Sequence, residues 1–72
     1  MIRFSHKLIG KECTCLYRLH GTGNVLKRQS GTIEKVTLVA DRDASYLTVR
    51  LKNGKGFRRL RKDRMLELEV SD

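Results

Sequence analysis

The sequence predicts a small all-β domain, and three observations predict it. Apolar residues recur at period two in several short windows, most cleanly at Leu47, Val49 and Leu51, which marks a half-buried strand. Clusters of glycine and asparagine separate those windows, at His20–Asn24 and Asn53–Gly56, and such residues make turns. The chain has 72 residues and no proline, enough for one hydrophobic core and too few for two. Residues 1–72 are therefore expected to form one domain, with residues 1–10 as an N-terminal arm or a short helical turn carrying Phe4, Leu8 and Ile9.

The first strand is expected over Lys11–His20. Cys13, Cys15, Tyr17 and Leu19 share one face there, and Thr14, Leu16 and Arg18 the other. Cys, Thr and Tyr suit a pleated, half-buried surface. His20-Gly21-Thr22-Gly23-Asn24 then turns the chain. Val25–Gln29 begins a second strand, Ser30-Gly31 interrupts it, and Thr32–Ala40 resumes with Ile33, Val36, Leu38 and Val39. The apolar register slips between Ile33 and Val36, which predicts a β-bulge or sharp bend that Gly31 eases. Asp41–Ala44 is a polar connector.

Ser45–Lys52 is the clearest strand. Leu47, Val49 and Leu51 point inward, while Tyr46, Thr48, Arg50 and Lys52 point outward. Asn53-Gly54-Lys55-Gly56 is a hairpin turn, with Asn-Gly supplying the positive φ angles of a type I′ turn. Phe57–Arg61 returns as the partner strand. Phe57 and Leu60 fall on opposite faces in strict alternation, so either a bulge lies between Gly56 and Met65 or one of the two is exposed. Lys62–Met65 is a turn or 3₁₀ piece, and Leu66, Leu68 and Val70 alternate with Glu67 and Glu69 as the last strand.

Five short strands with tight turns must hide their edges, and closure is the usual solution. The expected architecture is a five-stranded SH3-like or Sm-like barrel with a short 3₁₀ turn before the last strand. An OB-fold is the alternative, and it usually needs more residues.

Charge narrows the function. The formal net charge is +8. Eight of the sixteen basic residues lie between Arg50 and Arg64, with Asp63 as the single acid among them. Such a balance directs attention to nucleic acid, an anionic membrane or an acidic protein. The membrane reading needs an amphipathic basic helix with apolar anchors, whereas this stretch is patterned as a hairpin. No apolar run approaches the ~20 residues of a membrane span, nor the ~7 of a signal peptide's apolar region. Cys13 and Cys15 are too close for an unstrained disulfide on one strand, so free thiols in a reducing cytoplasm are expected.

The C-terminal half carries a resemblance. Tyr46-Leu47, then Phe57-Arg58-Arg59-Leu60-Arg61-Lys62-Asp63-Arg64-Met65, then Leu68-Glu69-Val70 resemble the WYL domain over roughly residues 31–70. Ser45-Tyr46-Leu47 stands where that family has Trp-Tyr-Leu, so Ser45 replaces the Trp. Leu60 replaces the second aromatic of the later strand, and Asp63-Arg64-Met65 matches the end of that motif. No helix-turn-helix pattern accompanies it in the chain. The resemblance implies an Sm-like, SH3-type barrel and an arginine-rich surface that accepts nucleic acid or nucleotides. It also implies a place in transcription regulation or in host conflict with phage and other mobile elements.

The expected interface is Tyr46, Arg50, Lys52, Lys55, Arg58, Arg59, Arg61 and Lys62. Guanidinium forks hold phosphate bidentately, lysine supplies a mobile point charge, and Tyr46 offers a stacking platform for unpaired bases. Single-stranded nucleic acid or RNA is favoured over duplex DNA, because nothing here reads as a helix for the major groove. Which of Arg58, Arg59 and Arg61 face outward depends on the register. One of Arg58, Arg61 and Arg64 is expected to be structural, paired with Asp63 or Asp43, and the Asp63–Arg64 pair is read as holding the last turn. The alternative function is a non-enzymatic protein-interaction module that docks an acidic partner on the same hairpin. No metal, cofactor or catalytic residue is expected. Cys13-x-Cys15 with His6 and His20 lacks the spacing of the familiar zinc motifs, and buried thiols are the simpler reading.

Overall fold

The computed structural model describes residues 2–19 and 25–71. Five antiparallel strands make one sheet: β1 (Glu12–Arg18), β2 (Leu26–Thr37), β3 (Tyr46–Leu51), β4 (Phe57–Arg61) and β5 (Met65–Ser71). Three 3₁₀ turns accompany them, at His6–Leu8, Arg42–Ala44 and Lys62–Arg64, the last directly before β5. The strand order is β4-β3-β2-β1-β5. β4 and β5 are joined by a single 3₁₀ turn yet lie at opposite ends of this order. The sheet must therefore curl until its ends meet, giving the expected SH3-like, Sm-like barrel.

Alternation places the core. Cys13, Cys15 and Tyr17 of β1, Ile33 and Val36 of β2, Leu47 and Val49 of β3, Leu60 of β4 and Met65 of β5 are all buried. Ile2, Phe4 and Leu8 of the N-terminal arm pack against them. The arm is pinned to β2, since Gly10 donates its N–H to the Ile33 carbonyl (2.7 Å) and Ile33 donates back to Lys11 (2.9 Å).

β2 is one strand, as the expected count of five requires, and it is continuous where an interruption at Ser30-Gly31 is expected. It runs through Ser30-Gly31, pairing with β1 over Leu26–Thr32 and with β3 over Gly31–Thr37. The two partnerships overlap at Gly31 and Thr32, and a Cβ added at Gly31 would lie 2.1 Å from the Arg50 carbonyl oxygen. Gly31 therefore permits the close approach of β3 at the point where both partners meet β2. The expected irregularity is present, as the β2–β3 register shifts between Ile33 and Lys35.

Three other expectations are corrected. β2 ends at Thr37, so Leu38 and Val39 are exposed rather than part of a strand reaching Ala40. The chain leaves the ladder because the Val39 N–H donates to the Ser45 hydroxyl (3.1 Å) and not to a strand neighbour. The β3–β4 loop is not a type I′ turn, for positive φ occurs at Gly54 and Gly56 and at no non-glycine residue among those described. The Asn53 Oδ1 instead accepts from the Lys55 N–H (2.9 Å), while Gly54 N–H donates to Leu51 (3.0 Å), giving a wider loop. Finally, β5 begins at Met65, which faces the core. A register shift opposite Leu16/Tyr17 makes Leu66 the extra, exposed residue. The expected turn at His20–Asn24 lies outside the described residues.

Candidate nucleic-acid interface

The β3–β4 register decides which arginines face out. Leu47 pairs with Leu60, Val49 with Arg58, Thr48 with Arg59, Arg50 with Phe57 and Tyr46 with Arg61. Alternation is strict, so Phe57, Arg59 and Arg61 share the outer face with Tyr46, Thr48 and Arg50. There is no bulge in β4. Phe57 is the apolar residue left outside, at 59% exposure.

Two arginine–aromatic pairs form on that face. The Arg50 guanidinium lies 5.3 Å from the Phe57 ring centre, directly across the ladder. Arg59 lies 5.3 Å from the Tyr46 ring centre, on the diagonal. Each such contact contributes about 0.5–1 kcal/mol at an exposed site. Each also places a charged guanidinium beside an aromatic ring on the exposed face.

Two outward arginines already hold carboxylates. Arg50 Nε is 2.8 Å from Glu34 Oε1, and Arg61 Nη2 is 2.7 Å from Asp63 Oδ2. Glu34 sits within the register shift of β2, which lets it approach β3 from the outside. Asp63 thus pairs with Arg61, one of the three arginines expected to pair with Asp63 or Asp43, and both lie at the turn before β5. Arg59, Lys52 and Lys55 have no carboxylate partner among the described residues. Lys52 and Lys55 lie in the loop at the hairpin tip.

Arg58 and Lys62 leave this face. Arg58 points inward beside Val49, half-buried, and its Nη1 donates to the Tyr17 hydroxyl (2.9 Å) while the guanidinium lies 5.8 Å from that ring. It closes the seam between β1 and β4, where no ladder is found among the described residues. Lys62 opens the 3₁₀ turn, donating its N–H to the Ser45 carbonyl (2.9 Å). Of the eight expected residues, Tyr46, Arg50, Arg59 and Arg61 therefore come together, Lys52 and Lys55 extend them at the tip, and Arg58 and Lys62 point elsewhere.

Phe57 and Glu34 complete the outer face and were not among the expected site residues. Counting alternation back from a buried Leu60 puts Phe57 outside, so its signal was in the sequence. Glu34 was hidden by the bulge, which breaks the parity of β2. Lys35, which pairs with Thr48 on the same face, was hidden in the same way.

The cysteines sit apart from this surface. Both are free and buried in the core. The hydrogen bond to Cys13, reinforced by burial, pushes the Cys15 thiol far up, while the same bond lowers Cys13 against the opposing effect of burial. Cys15 is thus protonated at neutral pH and is no nucleophile there. Among the described residues, no group of three or more His, Cys, Asp or Glu side chains is placed to hold a metal ion. No helix among them is long and apolar enough to cross a membrane. No protein-family model, curated protein or solved structure matches the chain.

Proposed function

We propose that this protein is a small nucleic-acid-binding barrel that takes single-stranded nucleic acid or RNA on the outer face of β3–β4. The observation that carries the reading is the pairing of arginine with aromatic rings, Arg50 with Phe57 and Arg59 with Tyr46, on one exposed sheet face. Unpaired bases stack on aromatic rings and on guanidinium planes alike. Arg59, Lys52 and Lys55 supply cations that no carboxylate neutralises among the described residues. An exposed Phe57 adds nothing to the core, but it gives a base a flat apolar contact. Binding is by phosphate charge and stacking, with little base reading and without catalysis. The resemblance to the WYL domain adds a regulatory setting, in transcription or in conflict between a host and mobile elements. The buried free thiols fit a reducing cytoplasm.

A second reading rests on Glu34 and Asp63. Their pairing with Arg50 and Arg61 means that this face accepts carboxylates, as an acidic protein partner would require. One experiment separates the two. Binding of labelled single-stranded DNA, RNA and duplex is measured by fluorescence anisotropy across a salt series, for the native protein and for Tyr46→Ala and Phe57→Ala. The nucleic-acid reading expects each substitution to cost about 1–3 kcal/mol for single strands and little for duplex. Affinity no tighter than millimolar at low salt, or no salt dependence, refutes it. Co-purification with an acidic protein that survives nuclease treatment supports the alternative.

A further inference from the structure

A second cationic cleft adjoins the Ser45 and Lys62 ends of β3 and β4, next to the Tyr46–Arg61 pair. Arg3, Arg42 and Lys62 surround a cleft of about 460 Å³ whose apolar wall is Phe4, Leu38 and Val39. That volume falls in the range of about 300–1,000 Å³ typical of small-ligand sites. None of the three cations pairs with a carboxylate among the described residues. Asp41 and Asp43 flank Arg42 in the chain but pair with none of the three cations; the Asp41 Oδ1 accepts from the Asp43 N–H (3.1 Å). The balance of charge around the cavity is positive and attracts an anion.

The cleft is also held in shape. Buried Ser45 ties three of its walls together. Its hydroxyl accepts from the Val39 N–H (3.1 Å), its N–H donates to the Arg42 carbonyl (3.2 Å), and its carbonyl accepts from the Lys62 N–H (2.9 Å). The 3₁₀ turns Arg42–Ala44 and Lys62–Arg64 pack against each other, which sets Arg42 beside Lys62. Leu38 and Val39, exposed and outside the core, form part of its apolar wall.

We propose that this cleft binds a nucleotide through its phosphate, with Arg3, Arg42 and Lys62 on the phosphate and the base against Phe4, Leu38 and Val39. The ligand is a nucleoside monophosphate, free or as the 5′-phosphorylated end of a strand. The inference rests on the cavity and its charge and does not require the outer face of β3–β4 to bind anything.

The test is a titration followed by amide chemical shifts in a ¹⁵N-labelled protein, using adenosine monophosphate, adenosine and inorganic phosphate as probes. The expected result is saturable shifts at Arg3, Phe4, Val39 and Arg42 with the monophosphate, weaker binding of phosphate and none of adenosine. Arg42→Ala and Arg3→Ala, both at exposed positions, each weaken the monophosphate by about tenfold or more, the loss of one hydrogen bond to a charged group. A dispersed spectrum confirms that each variant is folded. If the source is a strand end, a 5′-phosphorylated tetranucleotide binds more tightly than its unphosphorylated form, and Arg42→Ala abolishes the difference. If it is the free nucleotide, the two tetranucleotides bind alike and adenosine monophosphate alone fills the cleft. No shifts at millimolar monophosphate, shifts confined to Tyr46, Arg50 and Arg59, or equal binding of adenosine overturns the inference. Cleft shifts without any oligonucleotide binding at the outer face would leave it standing and remove the interface proposed for β3–β4 instead.

Discussion

Replacing Glu34 by Gln should strengthen binding, which few substitutions are expected to do. The Glu34 carboxylate sits 2.8 Å from Arg50 on the outer face, with the side chains 36% and 60% exposed respectively. An exposed pair of this kind stabilises the fold by only about 0.2–1 kcal/mol, so the variant keeps its structure. A phosphate that contacts Arg50 in the native protein must first compete with that carboxylate. Removing it returns up to the same ~1 kcal/mol to binding, a gain of up to about fivefold. The salt dependence sharpens the expectation. Lys35, Lys52, Lys55 and Arg59 lack carboxylate partners among the described residues. With four such cations on a single strand, log K falls with log salt at a slope of about −2.8, each contact adding about −0.7. Glu34→Gln frees Arg50 as a fifth, steepening the slope to about −3.5.

Fluorescence anisotropy with a labelled single-stranded oligonucleotide, at several salt concentrations, reads both quantities. Loss of one negative charge would raise affinity slightly wherever it occurred, so the decisive arm is a double-mutant cycle with Arg50→Ala. The gain should vanish in the Arg50→Ala background. A gain of equal size in both backgrounds, or an unchanged slope with unchanged affinity, would refute the view that Glu34 restrains a phosphate-binding Arg50.

Two further expectations concern the barrel that carries this face. Gly31→Ala places a Cβ 2.1 Å from the Arg50 carbonyl oxygen and 2.7 Å from Val49 Cγ1. A β3 backbone atom cannot move aside as a side-chain tip can, so the loss is about 3 kcal/mol or more. At about 4–8 °C per kcal/mol for a domain of this size, circular-dichroism melting should show a fall of at least ~12 °C, and a fall under ~4 °C would show that the strands do not cross this closely. Cys13 and Cys15 are buried and free, and the Cys15 thiol is pushed up by its hydrogen bond to Cys13 and by burial. Mass spectrometry should therefore find both thiols unmodified by iodoacetamide in the folded protein and both alkylated in urea; rapid alkylation of Cys15 without denaturant would contradict its burial.

The parts of the fold that were legible in the sequence are those governed by local alternation. Leu47, Val49 and Leu51 announce β3, and Cys13, Cys15 and Tyr17 announce the inner face of β1, because a strand's side-chain period is a property of the strand alone. Gly31 is legible only in part, for the opposite reason. Its lack of a side chain suggests a bend or bulge, yet it is required by the close approach of β3, a neighbour far along the chain. Leu38 and Val39 mislead similarly. They continue an apolar pattern, but Ser45 draws Val39 out of the ladder by a hydrogen bond that no local rule anticipates. The end cleft was not legible at all, since Arg3, Arg42 and Lys62 come from three distant segments that only the closed barrel brings together.

The register of β4 has the greatest consequence, because it divides one run of arginines into different tasks. Strict alternation sends Arg59 and Arg61 outward and Arg58 inward. Arg58 makes its hydrogen bond to Tyr17, a neutral partner, and so ties β4 to β1. Arg61 is half-neutralised by Asp63, two residues along. Arg59 is left with an aromatic ring and no acid. Charge density alone would treat the three as equivalent, whereas their surroundings rank them. Stability gives a reason for Arg58 to be where it is, and a partial one for Arg61. It gives little reason for Arg59 over Tyr46, and less for Phe57, whose exposed ring forgoes burial worth about 1.5–3 kcal/mol. A chain of this length has a small margin of stability, so Phe57, the most exposed of the large apolar residues described, is the one whose position the core explains least, and it lies on the face proposed to meet a ligand.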